Sequence, residues 1–182
     1  MGDLATLMHQ CAPSVAPTVL EAIMRTESHF DPLALHINNN VRLRRPPQSA
    51  AQAADWSGWL IKRGYSVDLG LMQINSRNLG SLHLTPQSAF DPCENIRAGA
   101  ELLKAQYTRA RQTGSLAGTA LLQAISAYNT GNFHSGFRNG YVARVMLNNS
   151  PARELLTLDM SCLLTRCAKT ADTAVGGVWT LR

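Results

Sequence analysis

The chain has 182 residues, of which 45% are hydrophobic and 16% charged, and its formal net charge is +5. This length suits one domain that buries its own core, and no apolar run approaches the length of a membrane span. The basic residues are scattered, with the densest cluster at Arg42, Arg44 and Arg45, and no nucleic-acid-binding motif accompanies them. We therefore expect no nucleic-acid partner. The positive charge suits attraction to a carboxylate-rich polymer, and the alternative is that it only keeps the protein soluble.

The four cysteines, Cys11, Cys93, Cys162 and Cys167, lack the spacing of zinc ligands, so we expect no metal. Their even number fits two disulfides and an oxidising compartment, and four free buried thiols are the alternative. The first residues, Met1 to Leu4, lack the basic and apolar segments of a signal peptide. Either the protein is not exported by that route, or this sequence begins after the cleavage site.

The N-terminal third predicts two helices. The first covers residues 3–11, and the second starts near Pro17, where Thr18–Glu21 has the form of a capping box. Phe30–Pro32 stops the second helix, which places Glu27 close to its C-terminus.

The rest of the chain predicts a mostly helical α+β fold, in which a small hairpin-like sheet lies beside a helical lobe. Residues 66–74 form a strand that pairs with part of 34–45. Further helices are expected at residues 49–63, 92–112, 115–128 and 141–148, with a last helical stretch reaching Leu158. Because the pattern weakens beyond Pro151, we divide the chain into a catalytic domain (1–150) and a C-terminal extension (151–182).

Glu27 is the candidate general acid. It follows an apolar helical stripe and lies near a helix C-terminus, and both the low dielectric and the helix dipole disfavour its charged form. A raised pKa is what the proton donor of glycosidic bond cleavage needs. The alternative is a solvated charge at a helix end, which is the usual role of a glutamate in such a position.

Tyr128 and Asn129 end a different helix. The Tyr128 hydroxyl is suited to orienting Glu27, and the Asn129 amide is suited to holding a sugar substituent. The alternative for Tyr128 is a core aromatic ring with its hydroxyl at the rim.

Gln73 and Asn75 lie two residues apart on the predicted strand, so both should face the same side. Two amides on one face suit polysaccharide hydroxyls, which need both donors and acceptors. Met72 faces the opposite way, where a core position is the commoner role.

Three motifs in order carry a family resemblance: Thr26-Glu27-Ser28, then Gly70-Leu71-Met72-Gln73-Ile74-Asn75, then Ala127-Tyr128-Asn129. They resemble the signature motifs of the soluble lytic transglycosylase family, which has a lysozyme-like fold. The resemblance is closer to the specialised transglycosylases of type IV secretion systems. It covers roughly residues 4–149 and extends to Cys11-Ala12-Pro13, Asp91-Pro92-Cys93, Thr130-Gly131-Asn132 and Gly140-Tyr141-Val142.

The resemblance implies that Glu27 is the sole essential acid/base, without a cofactor. Such enzymes cleave peptidoglycan glycan strands between N-acetylmuramic acid and N-acetylglucosamine without consuming water, and they leave 1,6-anhydro ends. The substrate contacts would fall on Ser28, Met72, Gln73, Tyr128 and Asn129. The resemblance also implies a periplasmic protein that opens the cell wall locally for assembly of a secretion or conjugation apparatus.

Two further expectations concern linkages and partners. The resemblance implies a Cys11–Cys93 disulfide, which leaves Cys162 and Cys167 to close a short loop. The C-terminal extension is suited to docking a secretion-system component, so a wall-binding assembly factor with slight catalysis is an alternative function. We expect a monomer.

Asp68 is the candidate second carboxylate. Residues 66–77 also resemble the strand of animal-type lysozymes that carries their second carboxylate. Asp68 is then either a bystander bonded to backbone amides, a charge that stabilises the developing cation, or a nucleophile. The last role would make the protein a muramidase that transfers the sugar to water.

Overall fold

A computed structural model describes residues 4–39 and 41–149 of the chain. The helices are α1 (Leu4–Cys11), α2 (Pro17–Glu27), α3 (Ala50–Lys62), α4 (Pro92–Gln112), α5 (Ala117–Thr130), α6 (Ser135–Arg138) and α7 (Tyr141–Asn149), and the strands are β1 (Leu35–Ile37), β2 (Val67–Leu69) and β3 (Ile74–Asn75). Short 3-10 turns occur at Ser76–Asn78 and Ser88–Phe90. The predicted α+β class, mostly helical with a small sheet, is confirmed.

Helix α2 begins two residues earlier than the predicted capping box requires. Pro17 is its first residue, and the preceding Ala16 offers no side-chain cap. Thr18 therefore lies inside the first turn, and the capping-box prediction is wrong. The helix ends at Glu27 as expected, because His29 and Phe30 adopt positive φ angles of 54° and 65°.

Helices α3, α4 and α5 confirm the predicted helices to within a few residues. The Ser49 side chain caps α3 by accepting a hydrogen bond from the Gln52 amide, and Asp91 caps α4 in the same way from Glu94. Helices α4 and α5 pack together. Their apolar faces enclose core side chains that include Ile96, Leu103, Leu121 and Ile125.

The sheet is antiparallel in the order β1-β2-β3, with Leu35 opposite Leu69 and Asp68 opposite Asn75. Pairing of the second strand with the 34–45 segment is thus confirmed. The single strand predicted over 66–74 is wrong, because the chain turns between β2 and β3. Gly70 and Gln73 enter the left-handed region there, with φ of 71° and 47°.

Asn95, on α4, holds this turn in place from beneath. It is buried, and its amide nitrogen donates to the Leu69 and Ala89 carbonyls while its oxygen accepts from the Met72 N–H. A Cβ at position 70 would come within 2.5 Å of the Asn95 amide, so the turn requires glycine for space as well as for φ.

A disulfide joins Cys11 at the end of α1 to Cys93 at the start of α4, which confirms the predicted pairing. The expected helical stretch to Leu158, the Cys162–Cys167 pair and the extension 151–182 lie outside the described residues. Among the described residues, no helix is both long enough and apolar enough to cross a membrane.

Candidate active site

A cleft of about 760 Å³ lies between the small sheet and the C-terminal ends of α2 and α5. Most side chains along it carry carboxylate, amide, imidazole or hydroxyl groups: Glu27, His36, Asn38, Asp68, Gln73, Asn75, Asn78, Gln106, Tyr128, Asn129 and Thr130. The described residues contain no group of three His, Cys, Asp or Glu side chains that could hold a metal ion. The groups along the cleft offer acid–base chemistry and hydrogen bonding.

Glu27 is the last residue of α2 and reaches the cleft from its helical wall. Burial raises the pKa of its carboxyl group from 4.5 to about 7, and the negative charge of Asp68 acts in the same direction. The hydrogen bond from Tyr141 and the positive charge of Arg144 oppose the rise. Because burial is the largest cause, the group holds its proton near neutral pH, as the sequence predicted.

Tyr141, the first residue of α7, orients Glu27. Its hydroxyl donates a short hydrogen bond to Glu27 Oε1, and its own backbone N–H donates to the Asn139 side chain at 2.9 Å. Burial and the Glu27 charge raise the pKa of Tyr141, so the phenol stays protonated as a donor. Sequence reasoning gave Tyr141 no role, although the Gly140-Tyr141-Val142 motif was the available signal.

Tyr128 does not bond to Glu27, so its predicted orienting role is wrong. Its hydroxyl donates instead to the Met72 carbonyl at 2.7 Å, which ties α5 to the turn between β2 and β3. Burial and the charges of Glu27 and Asp68 raise its pKa. The ring still lines the cleft, so Tyr128 forms part of the wall.

Asp68, in the middle of β2, faces Glu27 from the sheet wall. Its two oxygens accept hydrogen bonds from side-chain amides, from Asn38 Nδ2 at 3.1 Å and from Asn75 Nδ2 at 2.6 Å. A structural role for Asp68 predicted hydrogen bonds from backbone amides to its carboxylate. The observed donors are instead side-chain amides of residues that also line the cleft. Asn38 is a site residue that sequence reasoning missed.

Gln73 and Asn75 both line the cleft, but strand alternation does not explain it. Gln73 lies in the turn before β3, where its amide donates to the Ala34 and Gly70 carbonyls at 3.2 and 2.9 Å. Asn75 is the last residue of β3.

Ser28 and Met72 do not present their side chains to the cleft. The buried Ser28 hydroxyl donates to the Leu71 carbonyl at 2.8 Å, which links the end of α2 to the turn. Met72 is 0% exposed and packs so closely on Gly99 that a Cβ there would come within 2.6 Å of it. The structure thus gives both residues a supporting position, and it does not support the expected substrate contacts by their side chains.

Asn129 and Gln106 supply amides on the helical side of the cleft. Asn129 is exposed, and its oxygen accepts a hydrogen bond from Asn139 at 3.1 Å. Gln106 Oε1 is buried and has no hydrogen-bond partner in the described part of the chain. A buried acceptor without a partner is costly to the folded state. Sequence reasoning did not identify Gln106.

Comparisons with known proteins find related sequences. The pattern of the family described as "Transglycosylase SLT domain" matches residues 5–146. "Protein virB1" of Agrobacterium fabrum is 46% identical over 136 residues, which cover 75% of this chain and 55% of that protein. "Type IV secretion system protein virB1" of Brucella abortus is 38% identical over 153 residues, covering 80% of this chain and 63% of the relative. The chain thus spans between about half and two thirds of these relatives, and no solved structure matches it significantly.

Proposed function

The chain belongs to the transglycosylase SLT domain family, and on that premise we propose that it is a lytic transglycosylase of peptidoglycan. One observation carries the proposal: the carboxyl group of Glu27, half-buried and with its pKa raised to about 7, opens into an amide-lined cleft. Such a group serves as an acid and then as a base at the same pH.

In the first step, protonated Glu27 donates its proton to the glycosidic oxygen between N-acetylmuramic acid and N-acetylglucosamine. The bond from the anomeric carbon to that oxygen breaks, and the N-acetylglucosamine side leaves with its new hydroxyl. Positive charge develops at the anomeric carbon in an oxocarbenium-like state. The negative charge of Asp68, on the opposite wall, stabilises this charge.

In the second step, the Glu27 carboxylate takes the proton of the muramoyl 6-hydroxyl. The 6-oxygen then bonds to the anomeric carbon of the same sugar and closes a 1,6-anhydro ring. Glu27 is protonated again, so the cycle consumes no water. The hydrogen bond from Tyr141 keeps the carboxylate in one orientation through both transfers.

The amides of Gln73, Asn75, Asn129 and Gln106 are the proposed contacts for sugar hydroxyl and N-acetyl groups. They lie on both walls of the cleft, so a glycan strand between them would be held from two sides.

Hydrolysis is the second candidate, and the position of Asp68 favours it. Asn38 and Asn75 hold its carboxylate toward the cleft, as a second carboxylate would be held in a muramidase. Water would then replace the 6-hydroxyl as the attacking group, and a reducing end would result.

The wider role rests on the similarity to the relatives. We place the protein in the bacterial envelope, in the periplasm, where it would open the wall locally for a type IV secretion apparatus. Secretion-system components would dock through residues 151–182, and the protein would act as a monomer. Deleting 151–182 should leave peptidoglycan cleavage intact and abolish partner capture, whereas unchanged capture would contradict this role.

Product analysis tests the proposed activity. The full chain is incubated with purified peptidoglycan, and the released fragments are identified by mass spectrometry. We expect 1,6-anhydromuramoyl ends, which lie one water (about 18 Da) below the hydrolytic product because the 6-hydroxyl and not water attacks. Reducing ends would support the muramidase instead, and the absence of cleavage would overturn both.

A further inference from the structure

The cleft continues beyond the sheet into a second groove. His36 and Gln73 line both hollows, so the two are joined over these side chains. The groove has a volume of about 490 Å³, and the segment that follows β1 forms much of its wall, including Arg42, Leu43 and Pro46.

The same segment leads from the groove onto helix α3. Leu43 also lines a hollow of about 630 Å³ with Arg44, Arg45 and Trp56, and an apolar one of about 420 Å³ beside Trp59. A continuous surface therefore runs from the cleft to α3. We call its far part, made of Arg42, Arg44, Arg45, Trp56 and Trp59, the arginine–tryptophan surface.

Its aromatic part is open to a ligand. Trp59 is 52% exposed, which is unusual for so large an apolar side chain. The Arg63 guanidinium lies 3.6 Å from the centre of its ring and covers one face by a cation–π contact. This contact fixes the ring, so the exposed indole is a preformed platform for an apolar group.

Its charged part lacks an internal partner. Arg42, Arg44 and Arg45 are exposed, and none forms an ion pair with a carboxylate within residues 4–39 and 41–149. Two carboxylates, Asp31 and Asp55, lie along the same hollows, and Asp31 already accepts a hydrogen bond from the Leu33 N–H at 2.8 Å. The three guanidinium groups outnumber them, so the surface attracts anions.

We propose that the arginine–tryptophan surface binds the stem peptides of the glycan strand that occupies the cleft. This inference rests on the proposed function. A strand in the cleft carries peptides on its muramoyl units, and their free carboxylates match guanidinium groups that bind such groups with two parallel hydrogen bonds. The apolar peptide side chains match Trp56 and Trp59. Continuity with the cleft favours a peptide on the same substrate over an anionic lipid surface.

The test measures binding without turnover. Full-length Glu27→Gln protein is titrated by calorimetry with glycan oligomers of one length, either carrying stem peptides or stripped of them by an amidase. We expect the stem-bearing oligomer to bind roughly tenfold more tightly, the contribution of one or two charge-assisted hydrogen bonds. Adding Arg44→Ala and Arg45→Ala should remove this preference and leave the stripped oligomer bound as before.

The matched control removes two positive charges elsewhere, with Lys104→Ala and Arg111→Ala on α4, and should keep the preference. An equal loss in the control would assign the effect to net charge and overturn the proposal. If Glu27→Gln protein binds the two oligomers with equal affinity, the proposal is also overturned. Binding of the stripped oligomer would in that case still support the cleft as the site of the glycan strand. A lipid surface is the alternative ligand. If Arg44→Ala and Arg45→Ala abolish binding to phosphatidylglycerol vesicles but leave the preference for the stem-bearing oligomer unchanged, the stem-peptide proposal is overturned.

Discussion

The two walls of the cleft each present one carboxyl group, and their surroundings differ. On the helical wall, Glu27 is half-buried and accepts a hydrogen bond from the phenol of Tyr141. On the sheet wall, Asp68 accepts hydrogen bonds from two amides, Asn38 and Asn75. Burial on the helical wall favours the protonated form of Glu27, whereas the two amides on the sheet wall hold the Asp68 carboxyl group in place by hydrogen bonds.

This contrast assigns the roles by environment, since chemically similar side chains behave differently on the two walls. It also couples them, because the negative charge of Asp68 raises the pKa of Glu27 across the cleft. The proposed acid therefore owes part of its proton affinity to the opposite wall.

The largest effect is expected from Glu27→Gln, which removes the transferable proton and leaves the other wall intact. We expect peptidoglycan cleavage to fall by at least about 10³-fold, since both proton transfers pass through this group. Release of soluble fragments measures the loss, and circular dichroism checks the fold. Retained cleavage would remove Glu27 from the mechanism.

The same variant should be more stable than the parent at high pH. A carboxyl group whose pKa rises from 4.5 to about 7 on folding disfavours the folded state once it must ionise. The parent should therefore lose stability as the pH rises from 4.5 to about 7, while Glu27→Gln should not.

We expect the variant to be more stable by about 1–3 kcal/mol above neutral pH, from the pKa difference. The two proteins should converge below the unfolded pKa. Denaturant unfolding at several pH values measures the difference, and a constant gap at all pH values would contradict the buried acid.

Tyr141→Phe removes the phenol donor that lowers the pKa of Glu27. The pKa should rise, so the basic limb of the pH–rate profile should move to higher pH. The rate at its optimum should fall roughly tenfold, because the carboxyl group loses its fixed orientation.

Tyr128→Phe is the matched control for this change. It removes the bond to the Met72 carbonyl and no bond to Glu27. It should lower stability by about 1 kcal/mol without moving the basic limb. A shift of the same size in both variants would contradict the role of Tyr141.

Asp68→Asn should give the smallest effect and the opposite shift. Loss of the negative charge lowers the pKa of Glu27, so the basic limb should move to lower pH. Cleavage at pH 7 should fall about three- to tenfold as stabilisation of the cation is lost. Glu101→Gln, at an exposed position of α4, is the control and should change neither. If the basic limb of the pH–rate profile does not move in Asp68→Asn, the charge of Asp68 does not act on the pKa of Glu27.

Local sequence signals predicted most of the fold. Helix periodicity gave helix bounds within a few residues, because it depends on side chains that lie within one or two turns of chain. The turn between β2 and β3 could not be predicted so directly. It depends on Asn95, more than twenty residues away, which holds three backbone groups of the turn and its surroundings.

The site was predicted at the level of the wall residues and not at the level of their partners. Glu27 and Asp68 could be found because each lies in a recognisable motif. Tyr141 and Asn38 could not be assigned as their partners, since those hydrogen bonds span 114 and 30 residues. The roles first given to Tyr128 and Met72 changed because tertiary packing places the phenol on a backbone carbonyl and the thioether in the core.

The Cys11–Cys93 disulfide encloses both carboxyl groups of the cleft in one covalent ring. Its 82-residue separation contains Glu27, Asp68 and the exposed arginine segment between them. A protease that cuts this exposed segment would open the ring without separating its pieces. The two carboxyl groups would stay in one molecule, and the cut would become visible only after reduction of the disulfide.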